Sequence, residues 1–495
     1  MEPQHIVSID EIEFHSRKIV NIEAGEGSSS HDQPATTREK RIKTLMDAEA
    51  EMKAVQEAKI QKVIFLLRDH KHFVKYFEPR VASLGPIHHG KPKYELGEKY
   101  KRILAYKFIQ GCCGAYDENN FYEHINCLYE KIKKEIKDLR ECFEEKVTTE
   151  YDDESLAWIL FVDGCAILQY IFWAANDKFK DFHIKIDSAA FAQQDLFLLE
   201  NQVPYRLLKS LMSSSGKENE LRRSIDNFIR NVTYQQTESQ EKVNEEREPT
   251  HLLDLLRTKL LGPLTQSSIP IGPKPSSRKM CRKKKDQDQD WQLYRNVQEL
   301  KAAGIQLKCG DSHCLKNISF GRRSGSSYTR YLWLPPITVD DSTGPKFMNL
   351  IAYEWCPDFE NDCGITSYVS FLDSLINEPG DVKDLKKAHV LRNVLGKDQE
   401  VAELFNEIGT DLVPNPETYK DVKIQIQAYC KNNISYILFK LKTWIAEVIR
   451  VHFSSPWAIV GLLAASSALV LTAIQTWYTV YSPPGPCDDF CLHRP

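Results

Sequence analysis

Two adjacent histidines in the stretch ASLGPIHHGKP have the side chains best suited to chemistry in this sequence. His88 and His89 follow a Gly85-Pro86 turn and precede Gly90. Histidine titrates near neutral pH and is the commonest metal ligand. Neighbouring side chains diverge, however, and a helical metal site spaces its histidines four residues apart, as in the absent H-E-x-x-H. We interpret the stretch as a tight turn whose imidazoles bond the backbone, with a ligand or base as the alternative.

A second group has the residue types of a zinc site. Cys309, His313 and Cys314 lie close together in sequence, and Cys356 and Cys363 follow. Their spacing is not the C-x-x-C of a zinc knuckle, and no matching second pair is evident. We therefore predict no metal and no cofactor, and we keep His88, His89, Cys309, His313 and Cys314 as the metal candidates.

Carboxylates occur at two places that could serve the histidines. Asp195, Glu200 and Asn201 precede Pro204 in DLFLLENQVP, and the pair Asp340-Asp341 precedes an apolar helical pattern. Paired carboxylates can share a proton or hold a cation. They can equally be buried structural groups, or can cap a helix N-terminus. We interpret Asp340-Asp341 as a cap and leave both readings open for the first group.

The standard catalytic signatures are missing from the chain. It has no Walker A loop, no G-x-G-x-x-G, no nucleophile elbow and no kinase motif set. The formal net charge of -4 argues against a general nucleic-acid binder. We expect a protein without catalytic activity. The alternative is a hydrolase-type enzyme that uses the histidine loop with nearby carboxylates.

Mainly helical elements must position these residues. The apolar stripe from Leu45 to Leu67 predicts a helix. ESLAWILFVDGCAILQYIFWA predicts a central core helix, because Asp163 and Gly164 interrupt it too much for a membrane span. HLLDLLRTKLLG predicts a helix with Thr250 as its N-cap. GIQLKCG, NISFG and YLWLPPITVDD are the only convincing strand signals. The fold class is therefore mainly α, a large helical globular domain with a small β element, followed by one C-terminal transmembrane helix.

Composition divides the chain into six segments. They are a disordered N-terminal segment at 1–36, a first helical half at 37–262, a flexible basic linker at 263–288, a second half at 289–450 that ends in a long helix, a transmembrane helix at 457–481 and a short tail at 482–495.

The segment at 457–481 has the length and the flanks of a membrane span. About 25 apolar residues reach across a hydrocarbon core of about 30 Å. Trp457 lies at one end, and Trp477, Tyr478 and Tyr481 lie at the other, as an aromatic belt requires. The N-terminus shows no signal peptide. We therefore predict a tail anchor in the lipid bilayer with a cytosolic domain, in a membrane that the sequence does not distinguish.

Three glycosylation sequons and thirteen cysteines bear on that topology. Asn231, Asn317 and Asn433 begin N-x-S/T motifs, which would be unused in the cytosol. These sequons leave open the alternative that the domain lies in the lumen or outside the cell. The cysteines show no repeating frame, which favours reduced, mostly buried thiols.

Eight ordered motifs resemble the plant "domain of unknown function 247" family, over about residues 63–481. They include EPRVASLGPIHHGK, LFVDGCAILQYI, DLFLLENQVPYRLLKSL, HLLDLLR and LPPITVDDSTGPKFMNLIAYEWC. The residues of this chain that carry the resemblance are Gly85, Pro86, His88, His89, Asp195, Glu200, Asn201, Pro204, Asp340, Asp341 and Glu354.

The resemblance implies a plant protein with one C-terminal membrane span and no demonstrated activity. It carries over no catalytic residue set. Some members are associated with self-incompatibility in grasses, which implies recognition or signalling. We therefore expect a membrane-anchored protein with unknown protein partners and no nucleic acid.

Overall fold

The structure of the chain is a computed structural model, and two compact units, 1–56 and 57–495, divide it. The residues that it describes are 38, 40–43, 45–46, 59–69, 71–113, 118–179, 186–234, 247–262, 296–322, 330–431 and 456–481. In the first unit the described residues, from Arg38 to Met46, are helical and exposed.

Helices and turns make up the described first half of the second unit. The helices are α1 (Phe65–Arg68), α2 (Phe73–Phe77), α3 (Glu95–Cys112), α4 (Glu118–Lys134), α5 (Ile136–Glu141), α6 (Glu145–Thr148), α7 (Asp153–Ala175), α8 (Ile186–Asp195), α9 (Tyr205–Ser214), α10 (Glu218–Thr233) and α11 (Leu252–Leu261). A 3₁₀ turn, Pro92–Tyr94, leads into α3. An isolated bridge pairs Ile60 with Phe143 before the first helix begins.

The central helix α7 organises the packing of the first half. Asp152 caps it by accepting the Ser155 N–H at 2.7 Å, and two acidic residues follow in the first turn. Apolar residues lie on nearly all its sides, so α3, α4, α9 and α10 can pack around it. Gly164 of α7 allows α9 to pack closely against it, because a Cβ at this position would lie 2.6 Å from Leu211 Cδ1 of α9.

The described second half adds two small sheets and further helices. The helices are α12 (Val297–Ala302), α13 (Thr343–Glu354), α14 (Gly364–Leu375), α15 (Pro379–Lys387), α16 (Asp398–Ile408) and α17 (Lys420–Lys431). The strands are β1 (Ile305–Cys309), β2 (Ser319–Gly321), β3 (Arg330–Leu334), β4 (Ile337–Val339) and β5 (Leu391–Asn393). Strand β3 pairs parallel with β1 and antiparallel with β2, and β4 pairs parallel with β5.

Contacts between sequence-distant residues join the two halves. The Asn349 side chain donates to the Tyr76 carbonyl at 2.7 Å and accepts the Leu199 N–H at 2.8 Å. The Tyr76 hydroxyl donates to Glu407 Oε1 at 2.7 Å. The backbone N–H of Lys59 donates to an oxygen of the Asp358 carboxylate at 2.8 Å. The beginning of the unit is therefore packed onto its second half.

The last described element is α18 (Pro456–Tyr481). Two described helices are long and apolar enough to cross a membrane, namely α7 and the Leu463–Tyr481 part of α18. In α7, 78% of the apolar window is buried within the protein, whereas none of it is buried in α18. Both helices are apolar enough to span a membrane, but burial identifies α7 as a core helix and leaves α18 as the candidate span.

The predicted fold class is confirmed, with mainly helix, few strands and a C-terminal candidate span. Several local predictions were wrong. The helix predicted through Leu67 is interrupted, since Ile60–Ile64 is not helical. The N-cap of α11 is His251, not Thr250. Strand β5 was not predicted, and Pro335-Pro336 divides YLWLPPITVDD between two sheets.

The six predicted segment boundaries remain predictions. The segment at 1–36, the linker at 263–288 and the tail at 482–495 lie outside the described residues, as does Asn433. Of the long helix predicted to end at residue 450, the structure describes α17 up to Lys431.

Candidate functional site

The histidine loop is held by a single buried carboxylate at its start. Asp195, the last residue of α8, accepts the backbone N–H of Arg80 at 2.9 Å, of Val81 at 2.8 Å and of Ala82 at 3.0 Å. Burial raises the pKa of Asp195, and the three N–H donors oppose that rise. A loop inside a protein needs acceptors for its N–H groups, and this carboxylate supplies them.

Asn201 extends the same support along the loop. Its Oδ1 accepts the Leu84 N–H at 2.7 Å, and its Nδ2 donates to the carbonyls of Ala82 at 3.0 Å and Asp195 at 2.9 Å. All side-chain atoms of this amide therefore bond backbone groups. The segment DLFLLENQVP is not a continuous helix, since α8 ends at Asp195 and α9 begins at Tyr205. Pro204 is the residue immediately before α9.

A buried ion pair holds the middle of the loop. Asp163 of α7 accepts the Gly85 N–H at 2.7 Å and pairs with Lys101 of α3, whose Nζ lies 2.6 Å from Oδ1. Lys101 also donates to the Ser83 carbonyl at 2.7 Å and pairs with Glu98 at 2.7 Å. Burial lowers the pKa of Lys101, but the carboxylates outweigh it and the net direction is upward. Burial also raises the pKa of Asp163, and the Lys101 ammonium and the Gly85 N–H oppose that rise.

His88 is buried against Glu200. The His88 Nε2 lies 3.2 Å from Glu200 Oε2, without the alignment of a hydrogen bond. Lys91 Nζ lies 2.7 Å from Nδ1. Because an ammonium can only donate, Nδ1 is the acceptor and the ring proton sits on Nε2. Glu200 also accepts the Val63 N–H at 2.8 Å and pairs with Arg68 at 2.5 Å.

The second histidine has a different environment. His89 is half-buried and lies edge-on to Tyr151, with 6.3 Å between ring centroids. The Tyr151 hydroxyl donates to the Pro86 carbonyl at 3.1 Å, which fixes the turn. The two imidazoles therefore contact different groups.

Both glycines of the loop adopt positive φ. Gly85 has φ +66° and Gly90 has φ +76°, values that side chains rarely adopt. A Cβ at Gly85 would lie 2.4 Å from the Gln202 carbonyl oxygen, whereas a Cβ at Gly90 would meet nothing within 4 Å. The predicted tight turn is thus the observed one, and its backbone lies directly against the segment that contains Glu200.

Glu354, at the end of α13, forms a second buried carboxylate centre. It accepts the N–H groups of Ile365 and Thr366 and the Thr366 hydroxyl, at 2.9, 2.9 and 2.7 Å. Arg257 of α11 pairs with it at 2.8 Å. The carboxylate therefore satisfies the first N–H groups of α14, which would otherwise be buried donors at a helix N-terminus. This motif residue positions three helices.

The N-cap of α13 is Ser342 rather than the predicted pair Asp340-Asp341, which lies just before it. The Asp340 Oδ1 accepts the Ser342 N–H at 3.0 Å, one residue before the helix starts at Thr343. Its Oδ2 accepts the Tyr234 hydroxyl at 2.6 Å. Burial would raise the pKa of Asp340. The charge of Lys346 and the hydroxyls of Tyr234, Ser342 and Thr343 outweigh burial and hold this pKa below its ordinary value. Asp341 is exposed. Asp340 therefore supports the helix start and contacts none of the histidine-loop groups described above.

The zinc candidates are not assembled into a ligand set. Cys309 Sγ contacts the Gly310 carbonyl and Cys314 Sγ contacts the Leu261 carbonyl, at 3.4 and 2.6 Å. His313 lines a cleft, and burial lowers its pKa. Within the described residues, no three His, Cys, Asp or Glu side chains are grouped so that they could hold a metal ion.

A third histidine, His251, is buried as the N-cap of α11. Its Nδ1 accepts the Asp254 N–H at 3.1 Å, and its ring lies 4.7 Å from that of Tyr353. Asp254 is itself buried and pairs with Arg247 at 2.5 Å. Burial lowers the pKa of His251 from 6.5 to about 4. Histidine is an unusual cap, so the sequence pattern pointed instead to the neighbouring Thr250.

We expect this histidine to make the unfolding free energy depend on pH. The unfolded chain binds the proton more readily, so the stabilisation is complete above pH 6.5 and is lost as the pH falls towards 4. Its full size is about 3 kcal/mol, at 1.36 kcal/mol per pKa unit. His251→Asn keeps a capping oxygen and should flatten the dependence. Urea unfolding of the full chain between pH 4 and 7.5 measures it.

The matched control for this experiment is His389→Asn, because His389 is exposed. That variant should keep the wild-type slope of unfolding free energy against pH between 4 and 6.5. Equal slopes for the wild type and His251→Asn would contradict the assignment.

Taken together, the motif side chains bind backbone groups and one another rather than an open space. The side chains of His88 and Glu200 are 4% and 5% exposed. Burial alone would raise the pKa of Glu200, but contacts with His88 and Arg68 outweigh it and hold the pKa below its ordinary value. An ionised carboxylate with these partners suits the role of an anchor. A general base needs access to a substrate proton.

Sequence reasoning missed two residues at the centre of this network. In the sequence, Asp163 reads only as an interruption of an apolar helix, and no local pattern marks Lys101. The signal was nevertheless present, since an acidic residue in a core helix requires a buried partner. The identity of that partner depends on how α3 packs on α7.

Comparisons with known proteins identify a family model and two relatives that resemble the chain. The family model DUF247, described as "Plant protein of unknown function", matches residues 60–471. The chain is 25% identical to the "UPF0481 protein At3g47200" of Arabidopsis thaliana, over 82% of this chain and 83% of that protein. It is 21% identical to the "Putative UPF0481 protein At3g02645" of the same plant, over 82% and 87%. No solved structure matches.

Proposed function

The chain belongs to the DUF247 family of plant proteins of unknown function, and from that premise we propose that it is a membrane-anchored protein without catalytic activity. Its folded domain would serve recognition or signalling through protein partners. The observation that carries the proposal is the exposure of α18, a helix of 26 residues that packs none of its apolar window against the domain.

Water is a poor environment for such a helix. Leu469 is 72% exposed and Leu471 is 61% exposed. Exposed apolar surface costs about 25 cal/mol per Å², so a lipid environment is strongly favoured for the helix as a whole. At 1.5 Å per residue the helix is about 39 Å long, which exceeds the hydrocarbon thickness of about 30 Å.

The polar side chains of α18 support the same conclusion. The hydroxyls of Ser467, Thr472, Thr476 and Thr479 donate to carbonyls four residues earlier in the helix, at 2.7 to 2.8 Å. These donors need no water. Trp477 and Tyr481 lie together near the C-terminal end, with ring centroids 4.4 Å apart, where an interfacial aromatic belt would be.

Burial of the motif network supports the non-catalytic part of the proposal. A hydrolase-type site would need His88 and a carboxylate at a substrate cavity. The contact between His88 and Glu200 is the one observation that favours that alternative. Both side chains are buried, however. Neither of them lines the large cleft at the C-terminal end of α10, or the apolar cavity that residues of α3, α7 and α8 enclose.

We expect the chain to resist carbonate extraction from membranes when it is expressed in plant cells. Removal of residues 456–495 should move it to the soluble fraction, because that variant lacks α18 and keeps the folded domain. Removal of 482–495 alone is the matched control and should leave the protein in the membrane pellet. A soluble full chain, or a truncated chain that stays in the pellet after carbonate, would overturn the anchor.

The cytosolic orientation is tested in the same cells. Asn231 and Asn317 are exposed, so both sequons would be accessible to glycosylation in the lumen. We expect no mass shift after endoglycosidase treatment. A shift that Asn317→Gln or Asn231→Gln abolishes would place the domain on the other side of the membrane, and would leave the anchor itself intact.

A further inference from the structure

A cleft of about 980 Å³ lies at the C-terminal end of α10, away from the histidine loop. The two-stranded β4–β5 sheet forms one wall, and the turn between α15 and β5 forms another. His313 of the β1–β2 connection also contributes. These elements are far apart in sequence, so no local motif marks the cleft.

The lining of the cleft is basic. Arg230, Lys386 and Arg392 all contribute to it, together with two histidines, His313 and His389. No aspartate or glutamate occurs among the described residues that line it. A concave surface with charges of one sign concentrates the electrostatic potential and attracts counter-ions. The cleft therefore favours an anion.

Uncharged hydrogen-bond donors also line the cleft. They are the amides of Asn227 and Asn231 and the hydroxyl of Thr338. The Thr233 hydroxyl and the Asn393 amide belong to the lining too, but they already donate to the Ile229 carbonyl and to Asp398 Oδ1, each at 3.0 Å. Amide and hydroxyl groups can donate to oxygens of an anion that the cations attract. The set is thus suited to a ligand with several charged oxygens.

The nearby carboxylates do not neutralise the cleft. Lys386 pairs with Asp398 at 2.8 Å, so its charge is partly offset. The Asp340 carboxylate accepts a hydrogen bond from the Tyr234 hydroxyl, and the positive charge of Lys346 offsets its negative charge. Arg230 donates to the uncharged Asn227 Oδ1 at 2.5 Å. Arg392 is exposed on β5. The two guanidinium groups are therefore the principal cations of the cleft.

The turn that places His389 in the lining has a structural cause. His389 has φ +58° and follows the end of α15, where its N–H bonds the Lys386 carbonyl at 3.0 Å. The next N–H, of Val390, bonds the Leu385 carbonyl at 3.0 Å. This is a left-handed helix ending, which directs the chain from α15 into β5. It brings Lys386 and Arg392, one on each side of the turn, to the same cleft.

We propose that this cleft binds a small ligand bearing two or more phosphate groups. A phosphate monoester carries about 1.5 to 2 negative charges at pH 7, and each of the two guanidinium groups can pair with one such group. Guanidinium groups bind phosphate with paired, charge-assisted hydrogen bonds. The ligand is either a soluble polyphosphate ester or the headgroup of a phosphorylated lipid. This inference does not depend on whether α18 spans a membrane.

Binding is tested with the full chain in detergent micelles, by isothermal titration with inositol hexakisphosphate at 50 mM and 300 mM salt. We expect binding that weakens as the salt rises. The variant Arg230→Gln/Arg392→Gln should weaken it at least about tenfold, since each lost charge-assisted bond contributes substantially. The control variant is Arg223→Gln/Lys397→Gln, which removes the same charge from α10 and from the loop after β5 outside the cleft.

A second variant addresses the basic run at residues 278–285, which lies outside the described residues. Neutralising that run should leave most of the affinity in place. Binding that disappears with the run but persists in Arg230→Gln/Arg392→Gln would overturn the proposal. So would an equal loss of affinity in Arg223→Gln/Lys397→Gln. Unchanged thermal unfolding of each variant shows that the fold is intact.

Two further arms distinguish the sources of the phosphate. Vesicles of phosphatidylcholine with 5% phosphatidylinositol bisphosphate are compared with vesicles of phosphatidylcholine alone. The protein used is the chain without residues 456–495 if that variant remains folded. Otherwise, the full chain is studied in nanodiscs of the same two lipid compositions. Preference for the phosphorylated vesicles that the double variant abolishes indicates a lipid headgroup. Binding of the soluble ester alone indicates a free ligand. Either result supports the phosphate site, and binding of neither overturns it.

Discussion

Replacing Asp163 by alanine should lower the free energy of unfolding by about 3 kcal/mol or more. The change removes a buried partner of Lys101 and the acceptor of the Gly85 N–H. Lys101 would keep only Glu98, which is partly exposed, as its carboxylate partner. A buried charge that has lost its main partner is among the few causes of losses this large. Urea unfolding of the full chain, followed by circular dichroism, measures the effect.

Two companion variants separate the causes of this loss. Asp163→Asn keeps an acceptor for the Gly85 N–H but removes the charge, so its cost should be intermediate. In Lys101→Met/Asp163→Ala no charge is left unpaired at these two positions, so the double variant should be more stable than Asp163→Ala alone. If the double variant were less stable by the sum of the two single losses, the residues would act independently and the ion pair would not hold the loop.

Gly85→Ala should destabilise the protein by more than about 3 kcal/mol, whereas Gly90→Ala should cost only about 1 kcal/mol. Both glycines have positive φ, so both variants carry the strain of a left-handed backbone. Only at Gly85 would the added methyl group also overlap the Gln202 carbonyl oxygen, at 2.4 Å. Backbone at both sides of that contact leaves little freedom to relax. Thermal unfolding of the two variants side by side measures the difference.

Gly90→Ala is the matched control for that clash, because its Cβ would meet nothing within 4 Å. Equal losses for the two variants would show that the loop moves away from Gln202 at low cost. The tight contact would then not be needed for stability.

The elements that could be predicted from sequence are those with strong local signals. The core helix α7 was predicted because its apolar residues lie on all sides, while Asp163 and Gly164 argued against a span. Strands β1 and β3 are rich in branched and aromatic residues. Strand β5 consists of Leu391–Asn393 and carries no such pattern. Its formation depends on pairing with β4, and the local sequence around β5 carries no information about that pairing.

Tertiary contacts also overrode a local helical pattern before α1. The stripe up to Leu67 has helical spacing, yet Glu200 takes the Val63 N–H and Ile60 pairs with Phe143. These partners lie far along the chain, and they hold the segment out of helical geometry. Helix propensity is a weak preference that such contacts readily outweigh.

The candidate site was only partly predictable for a related reason. The glycines, the proline and the lack of metal spacing identify the histidine loop as a turn, which is what the structure contains. The acceptors that fix this turn, Asp163, Asp195 and Asn201, come from two separate helices and one connection. The basic cleft is harder still, since Arg230 and Arg392 belong to different elements and neither lies in a charge run. Charge clusters formed only by folding leave no trace in composition.

The contacts of Tyr76 with Asn349 and Glu407 have a consequence for how the chain acquires its fold. Tyr76 must meet Asn349, which is 273 positions later in the chain, and Glu407, which is 331 positions later, before the core around α2 can form. Such high contact order slows folding, because loop entropy is lost before the contacts are gained. During synthesis, the first half would wait, with apolar surface uncovered, until α16 has left the ribosome. We therefore expect the chain to require chaperones while it is being made, and fragments cut within 263–288 to aggregate rather than fold.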